Sequence, residues 1–245
     1  MEISQDRRKL LQASVAVGVA FGALSVPVIG KTPQKTSVSK KEEKEPEVSA
    51  TEDLMREHGV IRRALLVYIE SVPKLRQNLS QLDPAALHQT AQLFRTFGED
   101  YHERMLEEQH IFPIVRKHGG ELQRYADILI EQHQRGREIT DYVLAVTNAS
   151  KIGTAHAEPL AKVLEGLVLM YQNHAAREDT IVFPAWKKNF SDKQLDEISE
   201  QFEDIEHKMF GKDGFEDAER KITDIEGRLG FADLSQFTPP PPPKL

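Results

Sequence analysis

The 245-residue chain contains no cysteine, and this absence excludes a whole group of functions. Without thiols there are no disulfide bonds, no thiolate metal sites or iron–sulfur clusters, and no thiol redox chemistry. Any metal ion in this protein must be held by histidine and carboxylate side chains. Such ligands favour hard or borderline ions, namely iron, manganese or zinc, over copper(I).

An excess of positive charge is also missing. The chain has 39 acidic and 32 basic residues, which gives a formal net charge of −7. Nucleic acid binding needs a basic surface that neutralises phosphates, so we expect no nucleic acid partner. Strand patterns are missing as well. From Thr51 onward, apolar residues recur at three- and four-residue steps, and this spacing predicts an all-α protein.

The two ends of the chain differ in composition from its middle. Residues 1–30 begin with charged residues that include Arg7 and Arg8, and continue as a small-residue apolar run from Ala13 to Gly30. This pattern indicates an export signal, and its arginine pair resembles a twin-arginine signal. The alternative is an uncleaved membrane anchor, which would be the protein's contact with a membrane. We therefore expect the periplasm or cell envelope as its location.

Two further segments have compositions that cannot form a core. Residues 31–50 are rich in Lys, Glu, Ser and Pro and predict a disordered linker. Residues 231–245 predict a proline-rich tail, whose run Pro239–Pro243 we interpret as an extended spacer. The folded part is expected to lie between these segments.

The middle of the chain predicts an antiparallel up-down-up-down four-helix bundle over residues 51–190. The expected helices span about 51–78, 83–117, 121–147 and 158–188, joined by short polar or glycine-containing turns. Two additional C-terminal helices over residues 191–230 form an appended hairpin, which opens with a capping-box pattern at Ser191 and closes at Gly230.

Polar residues on the apolar helix faces predict a metal site. One histidine falls on the apolar face of each bundle helix: His58, His102, His133 and His174. Glu178 shares its helix face with His174, and a lone buried carboxylate there is costly unless it is paired or bound to metal. Counting residues from the helix ends places these groups and Glu107 in one layer of an antiparallel bundle. The pattern therefore predicts a dinuclear site with two bridging glutamates and four imidazoles.

The order His58, His102 with Glu107, His133, and His174 with Glu178 resembles the hemerythrin-like, or HHE cation-binding, family. The segment "DLMREHGVI" around His58 is similar to the first helix of that family. The Phe-Pro pairs that follow both glutamates are similar to the ends of its second and fourth helices. The resemblance covers about residues 51–190. It implies a non-haem di-iron centre that binds or reacts with dioxygen, peroxide or nitric oxide.

The sequence departs from the family pattern in two places. Reversible oxygen carriers of the family have a second histidine one turn after the one in the third helix, where this chain has Arg137. The poorer donor set indicates an open coordination position. In addition, His102 and Glu107 are five residues apart, not four. Either a π-bulge absorbs the extra residue, or Glu103 serves as a ligand. Glu57 is a further second-tier candidate.

Two residues are expected to support the ligands from outside. Tyr171, one turn before His174, could bond to a ligand carboxylate, and Arg177 flanks Glu178. Two iron ions are the expected cofactor, with manganese or zinc possible. The alternatives are a non-enzymatic metal-binding or storage module, and a helical scaffold without metal. Whether the protein is an oxidoreductase, and which protein partner it has, the sequence leaves open.

Overall fold

The computed structural model describes residues 48–211 and 213–243, and every regular element within these ranges is helical. The first helix, α1, is Ala50–Gln77, and the Ser49 side chain caps it by accepting a hydrogen bond from the Glu52 amide. The predicted export signal lies outside the described residues, as does most of the predicted linker. The helix begins one residue before the predicted start of the bundle.

The second long segment is one helical rod with a change of hydrogen bonding inside it. It begins as α2, Pro84–Leu93, with Asp83 as its N-terminal cap. It continues as a π-helical segment, π1, over Phe94–Ile111 and ends as α3, Phe112–Arg116. Helix α4, Gly120–Thr147, follows directly, because Gly119 and Gly120 adopt positive φ angles that turn the chain.

The third long segment repeats this construction. Helix α5, Thr154–Arg177, is followed by a π-helical segment, π2, at Glu178–Val182 and by α6, Phe183–Lys187. Proline stands at the second position of both short final helices, as Pro113 and Pro184. Proline is tolerated there because its missing amide hydrogen falls near the start of a new hydrogen-bonding pattern.

The predicted C-terminal hairpin consists of α7, Asp192–Phe210, and α8, Gly214–Leu229. The predicted capping box at Ser191 is present, and Gly230 ends α8 in the left-handed conformation. The hairpin packs on the first two long segments. The Ala50 amide donates to Ser199 Oγ at 2.9 Å, and Arg63 Nε lies 3.0 Å from Glu226 Oε1.

The helices form a bundle with a continuous apolar core. Helix α1 packs against α5, and α2 packs against α4. Aromatic residues fill much of the space between them, with Tyr68, Phe94 and Trp186 almost fully buried. Within the part of the chain that the structure describes, no helix is both long and apolar enough to span a membrane.

Candidate metal centre

Four histidines and two glutamates meet inside the bundle. His58 lies in α1, His133 in α4 and His174 in α5, whereas His102 and Glu107 lie in π1 and Glu178 lies in π2. All six are buried, with no more than 3% of any of them exposed. The structure thus brings together all six residues that the sequence singled out.

The Nε2 atoms of the histidines face one another in two pairs. His58 Nε2 lies 3.0 Å from His102 Nε2, and His133 Nε2 lies 3.1 Å from His174 Nε2. The carboxylates stand between the pairs. Each pair therefore presents two imidazole nitrogens to a common point.

Each glutamate reaches both histidine pairs with different oxygens. Glu107 places Oε1 3.3 Å from His102 Nε2 and Oε2 3.2 Å from His133 Nε2. Glu178 places Oε1 2.9 Å from His174 Nε2 and Oε2 3.4 Å from His58 Nε2. Each carboxylate thus connects the two histidine pairs.

The π-helical segment accounts for the five-residue spacing between His102 and Glu107. Its hydrogen bonds run from residue i to residue i−5, as in the bond from the Phe112 amide to the Glu107 carbonyl. Such a turn takes up about one residue more than an α-helical turn, so side chains five apart share one face. Of the two alternatives, the structure has the π-helical one, over a stretch longer than a single bulge.

In each of the four clustered histidines, the outward Nδ1 atom also has a hydrogen-bond partner. Most of these partners were not predicted from the sequence. His58 Nδ1 lies 2.7 Å from Asp179 Oδ1, and His133 Nδ1 lies 2.9 Å from Glu108 Oε1. The signal was present as an acidic doublet in both motifs, Glu107-Glu108 and Glu178-Asp179. The second acid of each doublet holds a histidine of another helix.

The remaining two partners come from residues that directly precede a histidine. Glu57 Oε2 lies 2.6 Å from His102 Nδ1, and Gln132 Oε1 lies 2.9 Å from His174 Nδ1. Because these oxygens are acceptors, each Nδ1 carries the hydrogen and donates it. A neutral imidazole then has its Nε2 lone pair directed into the cluster.

The two halves of the site repeat each other closely. Arg62, four residues after His58, pairs with Asp179, and Arg137, four residues after His133, pairs with Glu108. Phe183 stacks on the ring of His58 with centroids 5.5 Å apart, and the Phe112 and His133 rings are 5.4 Å apart. The position that carries a second histidine in oxygen carriers is thus occupied by a cation that orients an outer carboxylate.

The charges of the cluster shift the pKa values of its members strongly. Burial alone would lower the pKa of His133, but the charge of Glu103 and hydrogen bonds to Glu107 and Glu108 raise it to about 10. The pKa of His102 is likewise raised well above its ordinary value, because Glu107 and Glu57 outweigh the effect of burial. Burial would raise the pKa of Glu178, but His174 and His58 hold it well below the usual range.

The cluster has the chemistry of a metal site. All four carboxylate oxygens of Glu107 and Glu178 are buried, and no described residue other than the four histidines donates a hydrogen bond to them. When all four imidazoles are neutral, their inward lone pairs and these oxygens are acceptors only. Such a set needs cations, which in the metal-free protein are the protons on His102 and His133. Three groups could each hold a metal ion: Glu107, His133, His174 and Glu178; His58, His102 and Glu107; and, on the outer side of His133, Glu103, Glu108 and His133. Two ligand atoms that are each about 2.1 Å from one ion, with a right angle at the ion, lie about 3 Å apart. This distance is close to those between the Nε2 and Oε atoms of the cluster.

The second-tier candidates lie outside the inner cluster. Glu57 contacts the outward nitrogen of His102, as described above. Glu103 accepts a hydrogen bond from the Tyr171 hydroxyl at 2.6 Å and lies 3.3 Å from Arg137 Nη2. Tyr171 fits because Gly136 has no side chain: a Cβ there would lie 2.0 Å from the Tyr171 hydroxyl oxygen.

One expectation about the surroundings is wrong. Arg177 was expected to support the cluster, but its side chain is exposed and bonds to Asn173, one turn earlier on α5. The cause is helix geometry. Residues next to each other on a helix point about 100° apart, so the neighbour of an inward Glu178 turns to the surface.

Fold and site together define a helical bundle with a buried histidine and carboxylate cluster that could hold metal ions. The model of the hemerythrin HHE cation binding domain matches residues 49–186. The chain therefore belongs to this family. It is similar to the uncharacterized proteins Rv1995 of Mycobacterium tuberculosis and Mb2018 of Mycobacterium bovis. Both are 41% identical over 237 residues, which cover 95% of this chain and 91% of each relative. No solved structure matches the chain significantly.

Proposed function

We propose that this protein binds two iron ions between its four long helical segments and uses them to handle or sense dioxygen, peroxide or nitric oxide. In this proposal His58 and His102 hold one ion, and His133 and His174 hold the other. Glu107 and Glu178 bridge the two. The observation that carries the proposal is the set of four buried carboxylate oxygens, each within 3.4 Å of an imidazole nitrogen of one of the four histidines.

The antiparallel up-down-up-down topology is part of the same proposal. The halves of the chain repeat one unit, a helix with a single histidine followed by a segment with a histidine and a glutamate. Two such units facing each other bring both carboxylates to one layer. The packing of α1 on α5 and of α2 on α4 supports this pairing.

The donor set favours iron but also accepts manganese or zinc. Four imidazole nitrogens and two carboxylates suit divalent first-row ions, and the lack of cysteine disfavours soft ions. The outer carboxylates at Asp179, Glu57 and Glu108 increase the basicity of their imidazoles and fix the ring orientation. A pair of bound iron ions would supply redox chemistry toward small oxygen or nitrogen oxide ligands.

The chain's own residues would set the conditions for that chemistry. Arg137 pairs with Glu108 and Glu103 and offers no lone pair. An ion held by His133 would therefore have one imidazole fewer than in the oxygen carriers of the family. The surrounding aromatic rings, including Phe112 and Phe183, exclude bulk water from the cluster. The missing imidazole suits reaction or sensing better than reversible oxygen storage.

Location in the periplasm or cell envelope remains a proposal that rests on residues 1–30 alone. Their arginine pair and apolar run support export. A fusion of residues 1–47 to a reporter that is active only after twin-arginine export tests it. Replacement of both Arg7 and Arg8 by lysine should abolish reporter activity, and unchanged activity would contradict the twin-arginine route.

Metal analysis of the purified protein tests the function. We expect about two metal ions per chain, lost together in His174→Ala and in Glu178→Ala, whereas the exposed His156→Ala serves as a matched control and keeps both. A metal-free wild-type protein would favour the helical scaffold. Colourless protein with zinc would favour a non-enzymatic metal-binding module. Peroxide consumption by the iron form, compared with free iron, then decides whether the protein is an enzyme.

A further inference from the structure

Two acidic side chains meet on the outer side of His133, away from the inner cluster. Glu103 Oε2 and Glu108 Oε1, both from π1, lie 3.9 Å and 2.9 Å from His133 Nδ1. One ligand atom of each of these three residues lies within 4.8 Å of the others, a spacing that could hold a metal ion. Two carboxylates this close repel each other where burial reduces screening by water, so the pair needs a cation beside it.

Arg137 provides that cation. Its Nη2 atom lies 3.3 Å from Glu103 Oε2 and also contacts Glu108 Oε1. Its Nε atom, by contrast, is buried and has no hydrogen-bond partner among the described residues. The guanidinium group thus uses Nη2 for both carboxylates and does not form the two-pronged pairing with one carboxylate that arginine favours. It acts as a single positive charge between two anions, which is the part that a metal ion would take.

Both carboxylates are also held by groups other than Arg137. Glu103 Oε1 accepts a hydrogen bond from the Tyr171 hydroxyl at 2.6 Å, and Glu108 Oε1 accepts one from His133 Nδ1 at 2.9 Å. Tyr171 and His133 are themselves buried. Removal of the arginine side chain would therefore leave two oriented carboxylates that another cation could bind.

The other half of the site lacks such an outer pair of carboxylates. There Asp179 pairs with Arg62. The residue that directly follows the cluster histidine is Ala175 in this half, whereas in π1 it is Glu103. Of the groups of described residues that could hold a metal ion, none includes Asp179. The two arginines thus occupy equivalent places, but only one of them lies between two carboxylates.

We propose that Arg137 is the resident cation of the outer position at Glu103 and Glu108, and that it keeps this position closed to metal ions. Bound metal is thereby confined to the two inner positions. The inference rests on the proposed function, because confinement has a meaning only when the inner positions hold metal. The side chain of Glu108 is 23% exposed, so an ion in the outer position would be reachable from solvent. The inner ligands are no more than 3% exposed.

The number of manganese(II) ions bound per chain, measured by equilibrium dialysis, tests the proposal. The wild type should bind about two ions and Arg137→Gln about three, because carboxylates suit this ion. Arg137→Lys keeps the positive charge and should bind as many ions as the wild type. The matched control is Arg62→Gln, which removes the same charge from the other half and should gain no ion. Equal counts in the wild type and in Arg137→Gln, or an added ion in Arg62→Gln, would overturn the proposal.

A second variant tests where the added ion lies. Arg137→Gln combined with Glu103→Gln should return to the count of the wild type, because one of the two outer carboxylates is then lost. An added ion that persists in this double variant would lie elsewhere and would refute the assignment. The gain of an ion also distinguishes this role from a merely structural one, since damaged packing removes bound ions and does not add them.

The counts separate failure of this inference from failure of the proposed function. If the wild type bound no metal, the proposed function would be refuted, but Arg137→Gln should still bind one ion. If the wild type bound two ions and Arg137→Gln gained none, only this inference would fail. If Arg137→Gln did not fold without metal, manganese(II) should restore its folding even in combination with Glu178→Gln, which disables the inner positions. No recovery of folding would count against the proposal.

Discussion

Replacement of Glu178 by glutamine should abolish the stabilisation of the protein by metal ions. Glu178 places one oxygen 2.9 Å from His174 Nε2 and the other 3.4 Å from His58 Nε2, so it contributes to both proposed metal positions. Glutamine has nearly the same size but lacks the negative charge, and its amide nitrogen cannot bind a cation. Both positions should therefore weaken together, while the surrounding packing is kept.

The size of the effect follows from binding equilibria. Metal present at 100 to 1,000 times its dissociation constant stabilises the folded state by about 2.7–4.1 kcal/mol for each site, or about 5–8 kcal/mol for two sites. For a folded unit of this size, each kcal/mol raises the melting temperature by about 2–4 °C. We therefore expect the wild type to gain about 10–30 °C with metal at both sites, and Glu178→Gln to gain less than about 2 °C.

The assay is thermal unfolding with anaerobic iron(II) or with manganese(II), compared with chelator-treated protein. Each variant is compared with its own metal-free form, so any change in intrinsic stability cancels. Glu197→Gln, on the exposed face of α7, is the control and should keep the full gain. An equal gain in the wild type and in Glu178→Gln would refute the assignment of Glu178 as a bridging ligand.

Three further predictions address the surroundings of the cluster. Because the pKa of His133 is about 10 in the metal-free protein, metal binding at neutral pH must displace its proton. Calorimetry in buffers of different ionisation enthalpy should detect this proton release. For each proton displaced, the metal affinity should fall about tenfold when the pH is lowered by one unit. A metal affinity that does not change with pH would contradict this prediction. Glu57→Gln should weaken metal binding about 10- to 100-fold, because Glu57 accepts the Nδ1 hydrogen of His102. Gln132→Glu should strengthen metal binding, because it places a carboxylate at Nδ1 of His174. Both affinities are measured by competition with a chelator, and no change in either variant would contradict the role of these outer partners. Gly136→Ala places a Cβ against the Tyr171 hydroxyl and should lower the free energy of unfolding by about 1–3 kcal/mol in denaturant titrations; an unchanged midpoint would contradict the close contact.

The sequence allowed the helical class and the six central residues to be predicted, because both depend on periodicity. Histidines on apolar helix faces stand out, since burial of a polar group needs a reason. The glycine and capping signals at Ser191 and Gly230 gave the ends of the hairpin helices closely. Local backbone chemistry determines such ends.

The outer partners could not be predicted in the same way. Glu108 and Asp179 each bond to a histidine on a different helix, and such contacts depend on the rotation of neighbouring helices. The five-residue spacing between His102 and Glu107 suggested a π-helical turn, but only the structure gave its extent, Phe94–Ile111. Arg177 shows that proximity in sequence can also mislead. It directly precedes Glu178, but its side chain bonds to Asn173 at the surface and not to the cluster.

Anomalous diffraction from crystals grown with iron tests the central claim most directly. Two anomalous peaks are expected, both between the carboxylates of Glu107 and Glu178, one beside the His58 and His102 pair and one beside the His133 and His174 pair. The absence of peaks there, or a peak only at an outer group such as Glu103 and Glu108, would contradict the proposed dinuclear centre.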